Sequence, residues 1–254
     1  MTKEQKMKIG IIGAGQIGST LARKFSAAGH AVKLANSRGP ETLAELASQI
    51  GVAAASARDA VRDVDVVIIS VPLKSVPELP RDLFDGVPDD VVVIDTGNYY
   101  PIRDGRIDAI EDDLQESLWV SRQIGRPVTK AFNSIFWTSL ANEGKPAGSP
   151  GRIALPVAGD DARAKAVALE LVDVAGFDGI DAGTIDESWR QQPGTPTYCT
   201  DYDAEGVRKA LRTAVRALAP VKRDESFEKF AQLSGDFEPK MLIDILRSIS
   251  KAGN

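Results

Sequence analysis

The sequence predicts an α/β protein: a doubly wound parallel sheet, then a smaller, mainly helical C-terminal part. Two observations carry this. Short β-branched runs alternate with helically spaced apolar residues as far as about Gly183, the βαβ repeat that builds a parallel sheet, and beyond it helical spacing alone remains. The first strand also runs straight into Gly13-Ala14-Gly15-Gln16-Ile17-Gly18, a glycine pattern that joins a buried strand to a crossover helix. The boundaries drawn from this are 7–183 for the sheet domain and 184–254 for the helical one.

Lys8-Ile9-Gly10-Ile11-Ile12-Gly13 is the first strand. Ile17, Leu21, Ala22 and Phe25 recur at helical spacing, and Gly29 supplies the left-handed residue that ends a helix. Residues 31–35 make a second strand, 41–50 a helix and 66–71 a strongly apolar strand. Residues 91–95 and 128–132 read as further strands, with a helix from 107 to about 123 before the second. Residues 153–158 extend the same layer, and Asp160 caps an Ala-rich helix to about 175. Residues 191–202 are rich in Pro, Gly and Thr and read as a loop. Helices over 204–218 and 241–249 complete the chain.

Composition removes several classes of chemistry. With 254 residues, 43% hydrophobic and 26% charged, the chain is an ordinary globular one. A single Cys (Cys199) and a single His (His30) exclude intrachain disulfides and His/Cys metal sites, so no metal is expected. His30 sits in a helix-ending turn, a poor place for the base of a catalytic triad. Thirty-one basic against 36 acidic residues, a net charge of −5, leaves no excess of cations for a phosphate backbone, so nucleic acid is not an expected partner. No apolar run approaches the ~20 residues of a membrane span and no secretory apolar core follows the charged N-terminus, so no membrane partner and a cytoplasmic location are expected.

The glycine turn points to a dinucleotide and hence to a Rossmann-type sheet. Gly13 can make the tight turn, Gly15 can admit a pyrophosphate and Gly18 can let the helix pack closely, while the free N–H groups around Ala14, Gln16 and Ile17 face the phosphates. An unmodified ribose calls for a carboxylate at the end of the second strand. That strand instead ends Ala35-Asn36-Ser37-Arg38, with donors at Asn36 and Ser37 and a guanidinium at Arg38 suited to a 2′-phosphate. NADP(H) is therefore favoured over NAD(H). Ser70-Val71-Pro72 lies at a strand's C-terminal end, where backbone contacts with ribose are expected. Thr96-Gly97-Asn98-Tyr99-Tyr100 closes its strand with polar groups and two aromatics that could frame nicotinamide, with Tyr99 placed on the substrate side.

Four segments together resemble one family: Gly13 to Gly18, Asn36-Ser37-Arg38, Lys130-Ala131-Phe132-Asn133-Ser134-Ile135 and Pro156-Val157-Ala158-Gly159-Asp160-Asp161. The chain is similar to NADPH-dependent oxidoreductases of the coenzyme F420, or deazaflavin, type over roughly residues 8–187. The resemblance implies hydride transfer between nicotinamide C4 and a deazaflavin, in a cleft between the sheet and the C-terminal part. The Lys130-Ala131-Phe132-Asn133 form is closer to the cytosolic domains of membrane metalloreductases, which use a flavin, so the second substrate is coenzyme F420 or a flavin. Asn133 is the candidate catalytic residue, bonding the carboxamide or the acceptor ring, or else stabilising a turn.

Trp189, Arg190, Gln191 and Tyr198 are candidates for acceptor contact, and Cys199 reads as a small buried residue. Two other readings stand beside hydride transfer to a flavin or deazaflavin. One is reduction of a small carbonyl or imine with Tyr99, Tyr198 or Lys130 as proton donor; the other is a non-catalytic NADPH-sensing protein. Met241, Leu242, Ile245 and Leu246 form an apolar helical stripe, read either as a homodimer contact or as intramolecular core.

Overall fold

The runs of β-branched residues pair as parallel strands buried on both faces. The structure, a computed structural model, describes residues 6–233 and 238–251. Strands β1 (Lys8–Ile12), β2 (Ala31–Ala35), β3 (Ala53–Ala55), β4 (Val66–Ile69), β5 (Val92–Asp95) and β6 (Thr129–Lys130) form one six-stranded sheet, in the order β3-β2-β1-β4-β5-β6. All its named pairs are parallel. The order reverses between β1 and β4, which opens a crevice at their C-terminal ends.

Crossovers cover both faces. Helices α1 (Gln16–Ala27), α2 (Ala44–Ile50) and α3 (Ala57–Ala60) precede β4. Helices α4 (Pro101–Asp104), α5 (Asp108–Glu111) and α6 (Glu116–Ile124) lie between β5 and β6, and α7 (Trp137–Asn142) follows β6. On one face Ile9, Ile11, Ile68 and Ile94 cluster with Leu21 and Phe25 of α1, all fully buried. On the other, Ile12, Val67, Ile69 and Val93 pack with Ala60 of α3 and Trp119 and Val120 of α6. Each such aliphatic side chain contributes ~1.5–3 kcal/mol.

Three expectations are corrected. The predicted helix over 107–123 breaks into α5 and α6, because Asp113 takes a left-handed conformation (φ 81) between them. Strand β7 (Ala154–Val157) does not extend the parallel sheet. It pairs with β8 (Asp178–Asp181) in a second, two-stranded sheet, joined to the first through an antiparallel bridge between Lys130 and Ala158. Helix α8 (Ala162–Val174) crosses between them, and its cap is Asp161, which accepts the Ala164 N–H at 2.6 Å. Asp160 accepts the Ile185 N–H instead. Strand β3, only three alanines long, has no apolar signature in the sequence and was not expected.

Beyond β8 the described chain is mainly helical. Helix α9 (Ala204–Thr213) packs Val207 and Leu211 on Ala154 and Ile180 of the small sheet. The helix predicted over 204–218 therefore ends early, and α10 (Ala219–Ala231) begins with Pro220 in its first turn. In α11 (Pro239–Lys251) the buried apolar positions among the described side chains are Ile243, Leu246 and Ile249. Leu246 packs on Tyr198 and Cys199 within the chain, whereas Met241 stays exposed.

Candidate functional site

The glycine turn is built by opposite demands at its three glycines. Gly13 has φ 115, and a Cβ there would lie 2.0 Å from the Ser70 carbonyl oxygen; its N–H donates to Ala35 O at 2.8 Å. A Cβ on Gly18 would meet the Gly13 carbonyl oxygen at 1.9 Å, so α1 packs against the turn itself. A Cβ on Gly15 would meet nothing within 4 Å, and this residue borders the cleft. Helix α1 starts at that open space with no side-chain cap and no acidic residue in its first turn. Unbonded N–H groups and the positive end of the helix therefore face a void that fits a pyrophosphate.

At the end of β2, Asn36 is a loop holder. Its Oδ1 accepts the Arg38 N–H at 3.0 Å and its Nδ2 donates to Thr42 Oγ1 at 2.9 Å. The turn leaves Ser37 and Arg38 exposed beside the glycine turn.

The cleft, about 280 Å³, runs along the strand ends from Gly15, Gln16 and Ile17 past Ser70, Val71 and Pro72 to Thr96, Gly97 and Asn98. Its far end is aromatic, with Tyr100, Phe132, Phe136, Trp137 and Tyr198, and with Cys199 and Arg103 beside them. Trp137 is 46% exposed, a large apolar face left open at the mouth. Phe132 has φ 60, a strained conformation for a bulky residue, and the reversal it makes brings Asn133 under Asn98. Asn98 Nδ2 donates to Asn133 O at 2.9 Å, and Asn133 Nδ2 donates to Asn98 Oδ1 at 3.0 Å and to Gln191 O at 2.7 Å. Asn133 Oδ1 accepts from Gln191 Nε2 at 2.9 Å and from Ser134 Oγ at 3.3 Å.

Asn133 also borders the cleft, held there by its neighbours. Both ends of its amide are committed to protein, and it is 2% exposed. Asn98 is the half-buried amide that faces the cleft with donor and acceptor capacity to spare.

Behind the Thr96-Gly97-Asn98 wall lies a group of buried charges. Register pairs Asp95 of β5 with Lys130 of β6, and α6 lays Glu116 and Ser117 over them. Lys130 Nζ donates to Gly97 O at 2.8 Å and lies 3.5 Å from both Asp95 Oδ2 and Glu116 Oε2. Burial raises the Glu116 carboxyl from 4.5 to about 7, with Asp95 adding to the rise, and Lys130 and the Tyr99 N–H opposing it.

This raised value has a testable consequence. Glu116 contributes stability fully below pH about 4.5, and that contribution is lost as pH rises through about 7. Urea denaturation at pH 5 and pH 8 should therefore show Glu116→Gln losing less stability than wild type over this interval, by ~2 kcal/mol.

Several sequence-derived candidates lie elsewhere. Tyr99 is 1% exposed and turned away from the cleft; its hydroxyl donates to Gly105 O and accepts from the Ile107 N–H. The extended backbone alternates sides, so Tyr100 enters the cleft in its place. Trp189 is stacked between Arg190 (4.4 Å) and Arg216 (5.8 Å) beside a separate small pocket that Tyr99 also lines. Arg190 pairs with Glu187 and donates to Leu211 O. Gln191 is fully buried beneath Asn133, and its Oε1 has no hydrogen-bond partner among the described residues. Of the acceptor candidates Asn133 and Tyr198 border the cleft, the Tyr198 hydroxyl bonded to that of Tyr100. Burial pushes both phenols upward. His30 is buried far from this edge, with Nδ1 accepting the Met7 N–H.

Arg103, Phe136, Trp137, Asp95 and Glu116 were not found from sequence, where they carry no local signal. Tyr100 was read there as one of two aromatics, and it is the one that borders the cleft.

The sheet order, the glycine turn and the ligand-sized crevice at the switch point define a Rossmann-type dinucleotide-binding fold of the NAD(P)-dependent oxidoreductase class. The model of the family NADP oxidoreductase, coenzyme F420-dependent, matches residues 8–99. The Escherichia coli K12 protein YjhV is 39% identical over 105 residues, which cover 41% of this chain and 77% of that protein. A hypothetical protein from Sinorhizobium meliloti is 32% identical, with a TM-score of 0.60 over 74% of this chain and 89% of its own. A candidate F420-dependent NADP reductase from Arthrobacter shares the fold at 23% identity and a TM-score of 0.57, over 72% and 87% of the two chains. The chain belongs to the NADP oxidoreductase, coenzyme F420-dependent, family. No helix among the described residues is long and apolar enough to cross a membrane.

Proposed function

We propose that the protein transfers a hydride between the nicotinamide of NADP(H) and a planar acceptor ring, a deazaflavin or a flavin. The observation that carries this reading is the two-ended cleft, with a glycine turn and strand ends at one side and open aromatic faces at the other. Bound NADPH would supply a hydride from nicotinamide C4, with its electron pair, to the acceptor ring, and solvent would supply any proton that follows. The chain's own residues orient and exclude water. Arg38 and the α1 N-terminus hold the phosphates, Asn98 meets the carboxamide, and Trp137, Phe136 and Tyr100 present faces for the second ring. Membership of the coenzyme F420-dependent family supports a deazaflavin acceptor.

The test is absorbance-monitored oxidation of NADPH with deazaflavin, riboflavin, FMN and FAD in parallel, and with NADH as the control donor. NADPH-selective turnover with one of these rings is expected. NADP(H) binding without transfer to any acceptor would leave a sensing protein.

A second reading, reduction of a small carbonyl or imine, is favoured by the Tyr100–Tyr198 hydroxyl pair at the cleft wall. Of the three donors weighed for it, Tyr99 and Lys130 are buried away from the cleft, which leaves Tyr198. Tyr198→Phe separates the readings, since it should abolish carbonyl or imine turnover and spare ring-to-ring transfer.

Asn133→Ala should lower turnover by ~10-fold or more while changing NADPH affinity less, because it frees Asn98 without touching the phosphate end. Steady-state kinetics beside a direct NADPH titration checks this.

A further inference from the structure

Resting on that dinucleotide reading, we infer that Lys130, with Asp95 and Glu116, is a buried positioning group that holds the backbone of residues 97–99 against the nicotinamide. The three side chains come from three elements, and none is more than 4% exposed. Two of them grip Gly97 directly and the third braces them. Lys130 Nζ donates to Gly97 O at 2.8 Å, Asp95 Oδ1 accepts the Gly97 N–H at 2.8 Å, and Glu116 Oε2 lies 3.5 Å from Lys130 Nζ. Ser117 Oγ fixes the other Asp95 oxygen at 2.6 Å.

The opposite surface of this stretch is cleft wall, formed by Thr96, Gly97 and Asn98. A Cβ on Gly97 would meet Leu73 Cδ1 at 2.7 Å and Asp95 Oδ1 at 2.9 Å, so only glycine lets this backbone lie so close to Asp95, which sets its position from behind. Burying an ammonium with two carboxylates is costly, and an apolar replacement can serve a fold equally well. What an apolar replacement cannot do is bond both the N–H and the carbonyl of Gly97. A backbone held within tenths of an ångström is what a hydride donor ring requires. None of the three charged groups touches the cleft, so their action is through Gly97 and Asn98.

The test compares wild type, Lys130→Met and Glu116→Gln for binding of NADPH and of adenosine 2′,5′-bisphosphate. The bisphosphate reaches only the glycine turn and Arg38, so it does not sense residues 97–99. Lys130→Met should weaken NADPH by ~10-fold or more, leave the bisphosphate within about twofold, and shift bound nicotinamide fluorescence toward that of free NADPH. Glu116→Gln keeps the volume and an acceptor oxygen but removes the charge beside Lys130. It should act in the same direction at about threefold, and it carries the test if Lys130→Met does not fold. Equal weakening of both ligands, or unchanged NADPH affinity and fluorescence in the folded variants, overturns the inference. A wild type that binds neither ligand overturns the dinucleotide reading and this inference with it, a failure distinct from the others.

Discussion

Gly15→Ala is expected to fold like wild type and to lose dinucleotide binding, whereas Gly13→Ala is expected to lose the fold's stability first. The two glycines are two residues apart in one turn, and their surroundings are opposite. At Gly15 the backbone (φ −76, ψ −172) suits any residue, and a Cβ would meet no atom within 4 Å. Stability should therefore change by less than ~1 kcal/mol, the scale of a changed helix cap. The added methyl stands in the space a pyrophosphate would use to approach α1, and a loss of ~3 kcal/mol or more, about a hundredfold in NADPH Kd, is expected. At Gly13 a Cβ would lie 2.0 Å from the Ser70 carbonyl oxygen, with φ at 115. Both facts are penalties of the folded state, together on the order of 3 kcal/mol or more. Thermal melts and NADPH titrations of both variants check this, and wild-type affinity in a folded Gly15→Ala would sink the assignment of the turn.

The second large effect is expected from Arg38→Ala, which should weaken NADPH by ~10- to 100-fold and leave NADH almost unchanged. Asn36 shapes the loop through its own bonds to Arg38 N and Thr42, so removing the guanidinium does not unmake the turn. The Arg38 side chain is exposed at the end of β2. Its contribution is then two charge-assisted bonds to a 2′-phosphate, each worth ~1.5–3 kcal/mol before solvent screening. Paired titrations with NADPH and NADH at one ionic strength measure the ratio, and equal losses for both nucleotides would overturn the 2′-phosphate assignment.

The glycine turn, the strands that lead into it and the loop after β2 could all be read from local sequence. Each depends on residues adjacent in the chain, where turn geometry and strand burial act over a few positions. The acceptor side could not be read in this way. Trp189 and Arg190 carry suitable chemistry, but a 3-10 turn over Ile185–Gln191 directs them to each other, to Glu187 and to Arg216. Tyr99 and Tyr100 are chemically identical neighbours, and only the phase of the backbone after β5 distinguishes the buried one from the one in the cleft. Asn133 was found by motif, but only the fold shows that Asn98 and Gln191 occupy its amide.

Periodicity and glycine placement determined the fold class and marked the glycine turn, and a single Cys leaves no partner for an intrachain disulfide. These are short-range or compositional properties, and a linear chain displays them directly. The Asp95–Lys130–Glu116 group, the Asn98–Asn133–Gln191 amide chain and the Tyr100–Tyr198 pair exist only after folding. Their members lie 14 to 98 residues apart in the chain. Such contacts depend on strand register, on which face α6 covers and on where the C-terminal helices pack, and no local propensity encodes any of these.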